Sequence, residues 1–284
     1  MKLVNTTGGL DKRYSWKEII KMFKDAGFDG YDLNIQVSRE TKNEIHSDEY
    51  RKKIEELKAY ADEIGIECTQ IHTPFGGNQE ELKDAIIRSL EYGAYLGAKV
   101  AVVHPTIDNN FYYENKEKLF EGNVAFYKEL LSYAEKYSIK IACENMYGWD
   151  RDRHHNTENV CSHSEEFKRY VDAVGSPYLI ACVDIGHCQL VHEAPENMIR
   201  ELGDRVCAIH VHDNTGYDDA HNIPYSGTIN WDGVCKALAE IDYKGNFTFE
   251  AGRFFTPQMD DEHIKCAIKY LEQVGRSLIR KIKK

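Results

Sequence analysis

The residues of this sequence best suited to chemistry are carboxylates and imidazoles that end short apolar segments. Glu144, Asp184 and Glu250 end the segments IACE, IACVD and FTFE. The other candidates of this kind are His72, His104, His187, His210, Asp219 and His221. Carboxylates gathered in one place repel each other, and a divalent cation is the simplest compensation. The pattern therefore predicts a metal centre.

The donor types narrow the choice of metal. Mixed imidazole and carboxylate ligands favour Zn, Mn, Fe or Co over Mg and Ca. Cys143, Cys182 and Cys207 lie inside apolar segments and are expected to pack. Cys143 must point away from Glu144, because side chains alternate along a strand. We expect one to three ions, with Zn or Mn as the first choice and Co or Fe as the second.

Short apolar segments alternate along the chain with longer patterns of helical period. The predicted strands are residues 2–5, 30–35, 67–72, 99–104, 140–145, 179–184, 206–212 and 246–250. The predicted helices are residues 16–26, 48–64, 80–96, 115–137, 164–174, 195–202, 231–241 and 261–282. This alternation predicts an α/β fold in which crossover helices join parallel strands.

For a chain of this length the closed form is a (β/α)8 TIM barrel, predicted as a single domain over residues 1–284. A doubly wound open sheet is the alternative, but no G-x-G-x-x-G or G-x-x-x-x-G-K-[ST] motif occurs. The carboxyl ends of barrel strands meet at one rim, where the candidate ligands would lie together. Two long connections, 104–115 and 147–163, are predicted to be lids or oligomer contacts.

Composition limits the environment and the partners. The 284 residues include 36 Lys+Arg and 47 Asp+Glu, a formal net charge of −11, which disfavours loose binding to nucleic acid. No run of about 18 apolar residues occurs, and the segment MKLVNTTGGLDKRYSW lacks the apolar core of a signal peptide. Eight cysteines without a C-x-x-C pair fit a reducing compartment. We expect a soluble, cytoplasmic protein with no membrane association.

At the candidate ligands the sequence resembles the xylose isomerase-like barrel superfamily, which includes sugar isomerases, epimerases and AP endonucleases of the endonuclease IV type. The resemblance covers most of the chain and is strongest over residues 142–250. It implies that a primary metal is held by Glu144, Asp184, His210 and Glu250. It also implies that the two glutamates form an acid/base pair and that His187 contacts the substrate.

The sequence departs from the ketose 3-epimerase pattern and approaches that of endonuclease IV. HVHDNTGYDDAHN lacks the Arg that such epimerases place after the strand-7 His. The resemblance to endonuclease IV implies three metals, held by His72, His104 and Glu144, by Glu144, Asp184, His210 and Glu250, and by His187, Asp219 and His221. However, the strand ends IHTPFGG and VDIGH differ from those of true AP endonucleases, and few Lys or Arg occupy the loops.

The residues and the resemblance together predict a metal-dependent isomerase or epimerase of a small sugar or sugar phosphate. Glu144 or Glu250 would remove the proton beside the carbonyl to form a metal-stabilised enediolate, and the other would return a proton. His187 would hydrogen-bond a reacting hydroxyl. The expected substrate contacts are Phe75, Trp149 and Tyr217, as apolar walls, and Arg253, as a partner for phosphate or carboxylate.

Two alternatives use the same ligands. One is an endonuclease IV-like zinc-dependent phosphodiester hydrolase, for which nucleic acid would be the partner. The other is a metal-dependent dehydratase of the inosose type. Relatives often form dimers or tetramers, so the resemblance also implies a homo-oligomer.

Three further residues have predicted supporting roles. His212 lies two residues past His210 and shares its side of the strand, so it is expected to support the metal ligands. Asp213 is expected to play the same part. Trp231 is predicted to anchor the start of a helix.

Overall fold

The computed structural model describes residues 1–35, 37–75 and 79–283. Its strands are β1 (Leu3–Thr6), β2 (Gly30–Asn34), β3 (Glu67–His72), β4 (Val100–Val102), β5 (Lys140–Glu144), β6 (Tyr147–Asp150), β7 (His155–Glu158), β8 (Leu179–Asp184), β9 (Val206–Val211) and β10 (Phe247–Phe249). Its α-helices are α1 (Trp16–Ala26), α2 (Asp48–Ile64), α3 (Gln79–Leu96), α4 (Tyr112–Tyr137), α5 (Ser164–Val174), α6 (Ile185–Leu190), α7 (Pro195–Leu202), α8 (Trp231–Glu240) and α9 (Asp261–Ile282). Residues 76 and 77, which end the segment IHTPFGG, fall outside the described part.

Eight parallel strands close into a barrel, in the order β1-β10-β9-β8-β5-β4-β3-β2. The first strand completes the closure, because Leu3 lies opposite Phe247 of β10 and Val4 lies opposite Gly30 of β2. Helices pack around the strands, and α9 returns to pack on α1 and β1. The predicted (β/α)8 TIM barrel is confirmed. Among the described residues, no helix is both long and apolar enough to cross a bilayer.

The barrel interior below the rim is lined by small and branched apolar side chains. They are Val102, Ala142, Ile180, Cys182 and Ala208, and all are buried. Because side chains alternate along a strand, the residue that follows each of these faces the surrounding helices. Cys143, which follows Ala142, therefore lies in the outer core, with its Sγ 4.0 Å from Cys161 Sγ. Cys143 therefore packs, as predicted.

The main departure from the predicted elements is an antiparallel hairpin, β6–β7, inside the connection expected to be a long loop. Tyr147 pairs with Glu158 and Asp150 with His155. The hairpin residues are mostly polar and only partly buried, so they carry no apolar alternation that would predict a strand.

One helix boundary differs from the prediction, and one helix, α6, was not predicted. α4 begins at Tyr112 rather than residue 115, because Asp108 Oδ1 accepts hydrogen bonds from the Asn110 and Phe111 amides and turns the chain early. α6 follows β8 directly, because the Asp184 side chain accepts from the His187 amide as a helix cap. The predicted helix start at Trp231 is confirmed, and its buried indole Nε1 donates to Asp213 Oδ2 at 2.8 Å.

Candidate metal centre

The strands bring the central group of predicted ligands together at the C-terminal rim of the barrel. Asp184 and His210 lie opposite each other on β8 and β9, and Glu144 ends the neighbouring β5. His210 Nδ1 is 3.2 Å from Glu144 Oε2, 3.8 Å from Asp184 Oδ2 and 3.1 Å from Glu250 Oε2. One ligand atom from each of these four residues lies within 4.8 Å of all the others.

The chemistry of this central group fits a divalent cation. Glu144, Asp184 and His210 are almost completely buried. Glu144 Oε2 and His210 Nδ1 make no hydrogen bond with the described residues. Ligand atoms about 2.1 Å from a tetrahedral cation lie about 3.4 Å apart, close to the separations around His210 Nδ1. Buried polar atoms without partners are expensive, so the arrangement suits a bound ion.

Electrostatics keep the two glutamates ionised. Burial opposes ionisation of Glu144, but the imidazoles of His210 and His104 hold its pKa well below the ordinary value. Burial likewise opposes ionisation of Glu250, and His210 and His72 hold its pKa well below the ordinary value. Burial raises the pKa of the nearby Cys182 thiol to about 12.

A second ligand group consists of His72, His104 and Glu144, which share one side of the central group. His104 Nε2 is 3.3 Å from Glu144 Oε2, and the rings of His72 and His104 are 5.9 Å apart. The Phe75 ring packs on His104 at a centroid distance of 4.2 Å. The structure thus brings these three residues together as the endonuclease IV resemblance implies.

A third ligand group lies on the other side and contains His187, Asp219 and His221, together with His212. His221 Nε2 is 2.7 Å from Asp219 Oδ2, and His187 Nε2 is 4.0 Å from Asp219 Oδ1. Although burial disfavours both charges, the contact between them lowers the pKa of Asp219 to about 2 and raises that of His221 to about 9. This group contains a histidine, His212, that the predicted ligand set omits.

His212 joins the third group to the central group. Its Nε2 is 2.9 Å from Asp184 Oδ1, and its ring stacks on His221 at 4.1 Å. The predicted supporting position of His212 beside a ligand is therefore present. Asp213 does not have this supporting position beside a ligand. Its carboxylate accepts hydrogen bonds from Tyr225 N and Trp231 Nε1 and holds the following loop.

His187 faces the same rim from α6. Its Nδ1 is 2.8 Å from the backbone oxygen of Asn145 and 3.2 Å from Glu144 Oε1. The ring of Tyr147 lies 5.0 Å from that of His187, and burial together with nearby Asp219 raises the pKa of Tyr147. Tyr147 was missed by sequence reasoning, because its position depends on the hairpin.

The four predicted substrate contacts are placed differently. Phe75 lines a rim cavity of about 600 Å³ together with His72, His104 and Glu250. Trp149 lies on β6 and Tyr217 lies in the loop after β9, where its backbone oxygen accepts from Asn156. Arg253 lies in the short turn after β10. Only Phe75 is among the residues that line this cavity, and contact between the other three and a substrate stays a prediction.

Comparison with known proteins places the chain in a family. The family model described as "Xylose isomerase-like TIM barrel" matches residues 20–274. The chain therefore belongs to the xylose isomerase-like TIM barrel family.

Relatives in the curated proteins carry different names. The chain is 29% identical over 164 residues to "Uncharacterized protein y4fM" of Sinorhizobium fredii. The matched region covers 57% of this chain and about half (50%) of that protein. It is 22% identical to "Putative L-ribulose-5-phosphate 3-epimerase SgbU" of Escherichia coli K12, over 85% of each chain. It is 28% identical to "Probable endonuclease 4" of Metamycoplasma arthritidis, over 46% of each chain.

Solved structures share the fold at low sequence identity. A D-tagatose 3-epimerase-like protein is 23% identical, with a TM-score of 0.75, over 100% of this chain and 98% of that one. The IOLI protein, determined with a bound zinc atom, is 19% identical, with a TM-score of 0.73, over 99% of this chain and 98% of that one. These similarities establish a common barrel architecture.

Proposed function

We propose that this chain is a metal-dependent isomerase or epimerase of a small sugar or sugar phosphate. The observation that carries the proposal is the pair of glutamates beside one imidazole: Glu144 and Glu250 lie 3.2 and 3.1 Å from His210 Nδ1 and come from different strand ends. A relative named as a 3-epimerase of a sugar phosphate, which matches over 85% of the chain, supports the same substrate class.

The central group, Glu144, Asp184, His210 and Glu250, would hold the cation, with Zn or Mn as the first choice and Co or Fe as the second. When bound, such a cation supplies Lewis acidity that polarises a sugar carbonyl and makes the neighbouring C–H more acidic. The three carboxylates of the group offset the charge of the ion.

Glu144 and Glu250 perform the proton transfers. One carboxylate removes the proton from the carbon beside the carbonyl, and the other returns a proton. Return on the opposite face gives an epimer, and return on the neighbouring carbon gives an isomer. The low pKa values make both groups weak bases, and fixed placement against the substrate compensates.

His187 orients a reacting hydroxyl of the sugar. Its Nδ1 faces the Asn145 carbonyl at 2.8 Å, which leaves Nε2 as the atom for the substrate. Phe75 provides an apolar wall in the rim cavity. Trp149 and Tyr217 would extend that wall, and Arg253 would bind a phosphate or carboxylate of the substrate.

A panel of ketoses and their phosphates, incubated in D2O with the protein and Mn, Co or Zn, tests this function. NMR should detect solvent deuterium at the carbon beside the carbonyl of at least one sugar, and the same spectra would reveal loss of water from an inosose. Glu144→Gln and Glu250→Gln should each reduce the exchange rate by about 100-fold or more. Exposed Glu56→Gln is the matched control and should exchange at the wild-type rate. Absence of exchange in every sugar would contradict enolisation chemistry.

Phosphodiester hydrolysis is the second candidate, because the three ligand groups contain all nine residues of the endonuclease IV-like set. Clustered cations held there would lower the pKa of bound water toward about 7. A nicking assay on a duplex with one abasic site, with Zn present, tests it. EDTA-sensitive cleavage at micromolar protein would support this candidate, and intact duplex would eliminate it.

A further inference from the structure

A second cavity, of about 460 Å³, neighbours the rim cavity and is used by no part of the proposed mechanism. Asn34, at the end of β2, lines both cavities, which places them side by side. Three aromatic side chains line the second one: Tyr14 and Trp16, which are half-buried, and Tyr50, which is buried. Volumes of about 300–1,000 Å³ are typical of small-molecule sites. We call this space the aromatic cavity.

The aromatic walls are held in place by their neighbours. The rings of Trp16 and Tyr50 meet edge to face at a centroid distance of 6.0 Å, which joins the start of α1 to the start of α2. The Tyr14 hydroxyl donates to Asp261 Oδ1 at 2.7 Å, and Arg13 Nη2 lies 2.5 Å from the same oxygen. The cavity is therefore preformed, which lowers the entropic cost of binding a ligand there.

Polar groups of the aromatic cavity are suited to hydroxyl groups. Asp11 Oδ1 is buried and has no hydrogen-bond partner among the described residues. Burial raises the pKa of Asp11 above the ordinary value, against the opposing effects of Lys12 and nearby backbone amides. A buried acceptor without a partner is costly, and a hydroxyl donor would compensate it. The amide of Asn34 can both donate to and accept from a hydroxyl.

The charges around the aromatic cavity favour a neutral ligand. Two cations, Lys17 and Lys53, balance two carboxylates, Asp11 and Glu56. Lys17 Nζ is 3.0 Å from Glu56 Oε2, an ion pair that links α1 to α2. A sugar ring fits this lining, because its hydroxyls bind carboxylate and amide groups and its apolar C–H face packs on an aromatic ring.

We propose that the aromatic cavity is a second sugar-binding subsite, which takes the outer ring of a neutral disaccharide or glycoside whose reacting ring lies in the rim cavity. The position of the reacting ring rests on the proposed function, whereas binding of the outer ring does not. Trp16 provides the stacking face, and Asp11 binds hydroxyls of the outer ring. Asn34 lies between the two cavities, where the linkage between the rings passes.

Binding is tested by ¹H–¹⁵N NMR of the three tryptophan indole groups while the zinc-loaded protein is titrated with neutral sugars. The probes are maltose, cellobiose, lactose, sucrose and the methyl glycosides of glucose and galactose. Trp16→Phe identifies the Trp16 signal by its loss. At least one probe should shift the Trp16 signal to saturation and leave that of buried Trp231 unchanged. Absence of a saturable Trp16 shift with every probe, or a shift confined to Trp149, would overturn the proposal.

Variants and charged probes test the assigned contacts. Asp11→Ala should weaken binding of the sugar about 10-fold, because the hydroxyl acceptor is lost. Asp84→Ala, which removes an exposed carboxylate from α3, is the matched control and should bind like the wild type. Free lysine and glucuronate should not displace the sugar. Unchanged affinity in Asp11→Ala, or displacement by either charged probe, would contradict a neutral sugar held by Asp11.

Turnover separates this inference from the proposed function. If lactulose or maltulose exchanges deuterium in D2O, Trp16→Ala should raise its KM about 10-fold with little change in kcat, and the KM of a free ketose should stay the same. If no sugar exchanges deuterium but a glycoside shifts the Trp16 signal, the proposed function fails and the subsite stands. If a ketose exchanges deuterium while no glycoside shifts that signal, only the subsite fails.

Discussion

Gly186 lies against the imidazole of His212 at the centre of the rim. A Cβ built on Gly186 would overlap the His212 ring, so only glycine allows this ring to reach Asp184 and stack on His221. Through His212, the start of α6 therefore packs against both the central group and the third group. Packing at this glycine therefore sets the position of His212 beside Asp184 and His221.

Gly186→Ala should weaken binding of a divalent cation by about 10-fold or more, because the displaced His212 no longer supports Asp184. Isothermal titration calorimetry with Zn provides the measurement. Gly122→Ala on α4 is the matched control, since nothing lies near its added methyl group, and it should bind Zn normally. Unchanged Zn affinity in Gly186→Ala would show that His212 does not support the site.

The positions of candidate ligands at the rim were predictable where a residue stands at the end of an apolar strand. Glu144, Asp184 and His210 do so, and strand alternation then directs them all to the barrel interior. The surroundings of Asp32 were not predictable, because it stands within GYDLN and its side-chain contacts depend on β3 lying beside it. Tyr147 depends in the same way on a hairpin that has no sequence pattern of its own.

The β6–β7 hairpin places Tyr147 beside His187 and is held in position by His163. His163 Nε2 is 3.0 Å from Glu158 Oε1 on β7, and its Nδ1 is 2.9 Å from Glu193 Oε2 after α6. Partial burial opposes the charge on His163, but the two carboxylates raise its pKa above the ordinary value. The protonated imidazole therefore holds the hairpin to the barrel.

The hairpin should loosen as pH rises. Because the folded pKa of His163 lies above the unfolded value of about 6.5, its contribution is complete below that value and is lost as pH rises through the folded pKa. Hydrogen exchange of residues 147–158, corrected for the intrinsic rate, should be slower at pH 6 than at pH 9. His163→Gln should remove this difference, and His263→Gln, an exposed control, should retain it. Equal protection of these residues at both pH values in the wild type would show that protonated His163 does not hold the hairpin.

The order of strands and helices was predictable because apolar strand segments alternate with segments of helical hydrophobic period. The barrel strands begin or end within a few residues of the predicted bounds. β4 shows the limit: residues 99–104 were predicted, but only Val100–Val102 pair as a strand. The chain leaves the sheet before His104, which places that ring above the strand and against Phe75.

At the scale of the whole molecule, α9 joins the end of the chain to its beginning. Arg276 donates to both oxygens of Asp29 at 2.7 and 2.9 Å, and Asp29 Oδ2 also accepts from the Leu3 amide at 2.7 Å. Burial raises the pKa of Asp29, but Arg276 and the Leu3 amide outweigh it and lower the pKa below the ordinary value. These contacts lie where β1 closes the barrel.

Arg276→Met should lower the free energy of unfolding by about 1 kcal/mol at pH 7, a value reduced because both groups are about one-third exposed. The lowered pKa means that Asp29 stabilises the fold above its unfolded pKa of about 3.9 and loses this as pH falls. Urea unfolding should therefore show the wild-type advantage shrinking below about pH 4. Arg280→Met, on an exposed face of α9, should unfold like the wild type.

Urea unfolding also tests the domain prediction. A single domain over residues 1–284 should unfold in one cooperative transition, and two separated transitions would contradict it. The homo-oligomer implied by the resemblance stays a prediction that sedimentation measures directly.

Anomalous diffraction at the metal edge from a crystal grown with Zn or Mn tests the central claim most directly. The account predicts a peak within bonding distance of Glu144, Asp184, His210 and Glu250. Additional peaks at the two flanking groups would favour the hydrolase over the isomerase. A metal-loaded crystal with no peak at the central group would contradict the account.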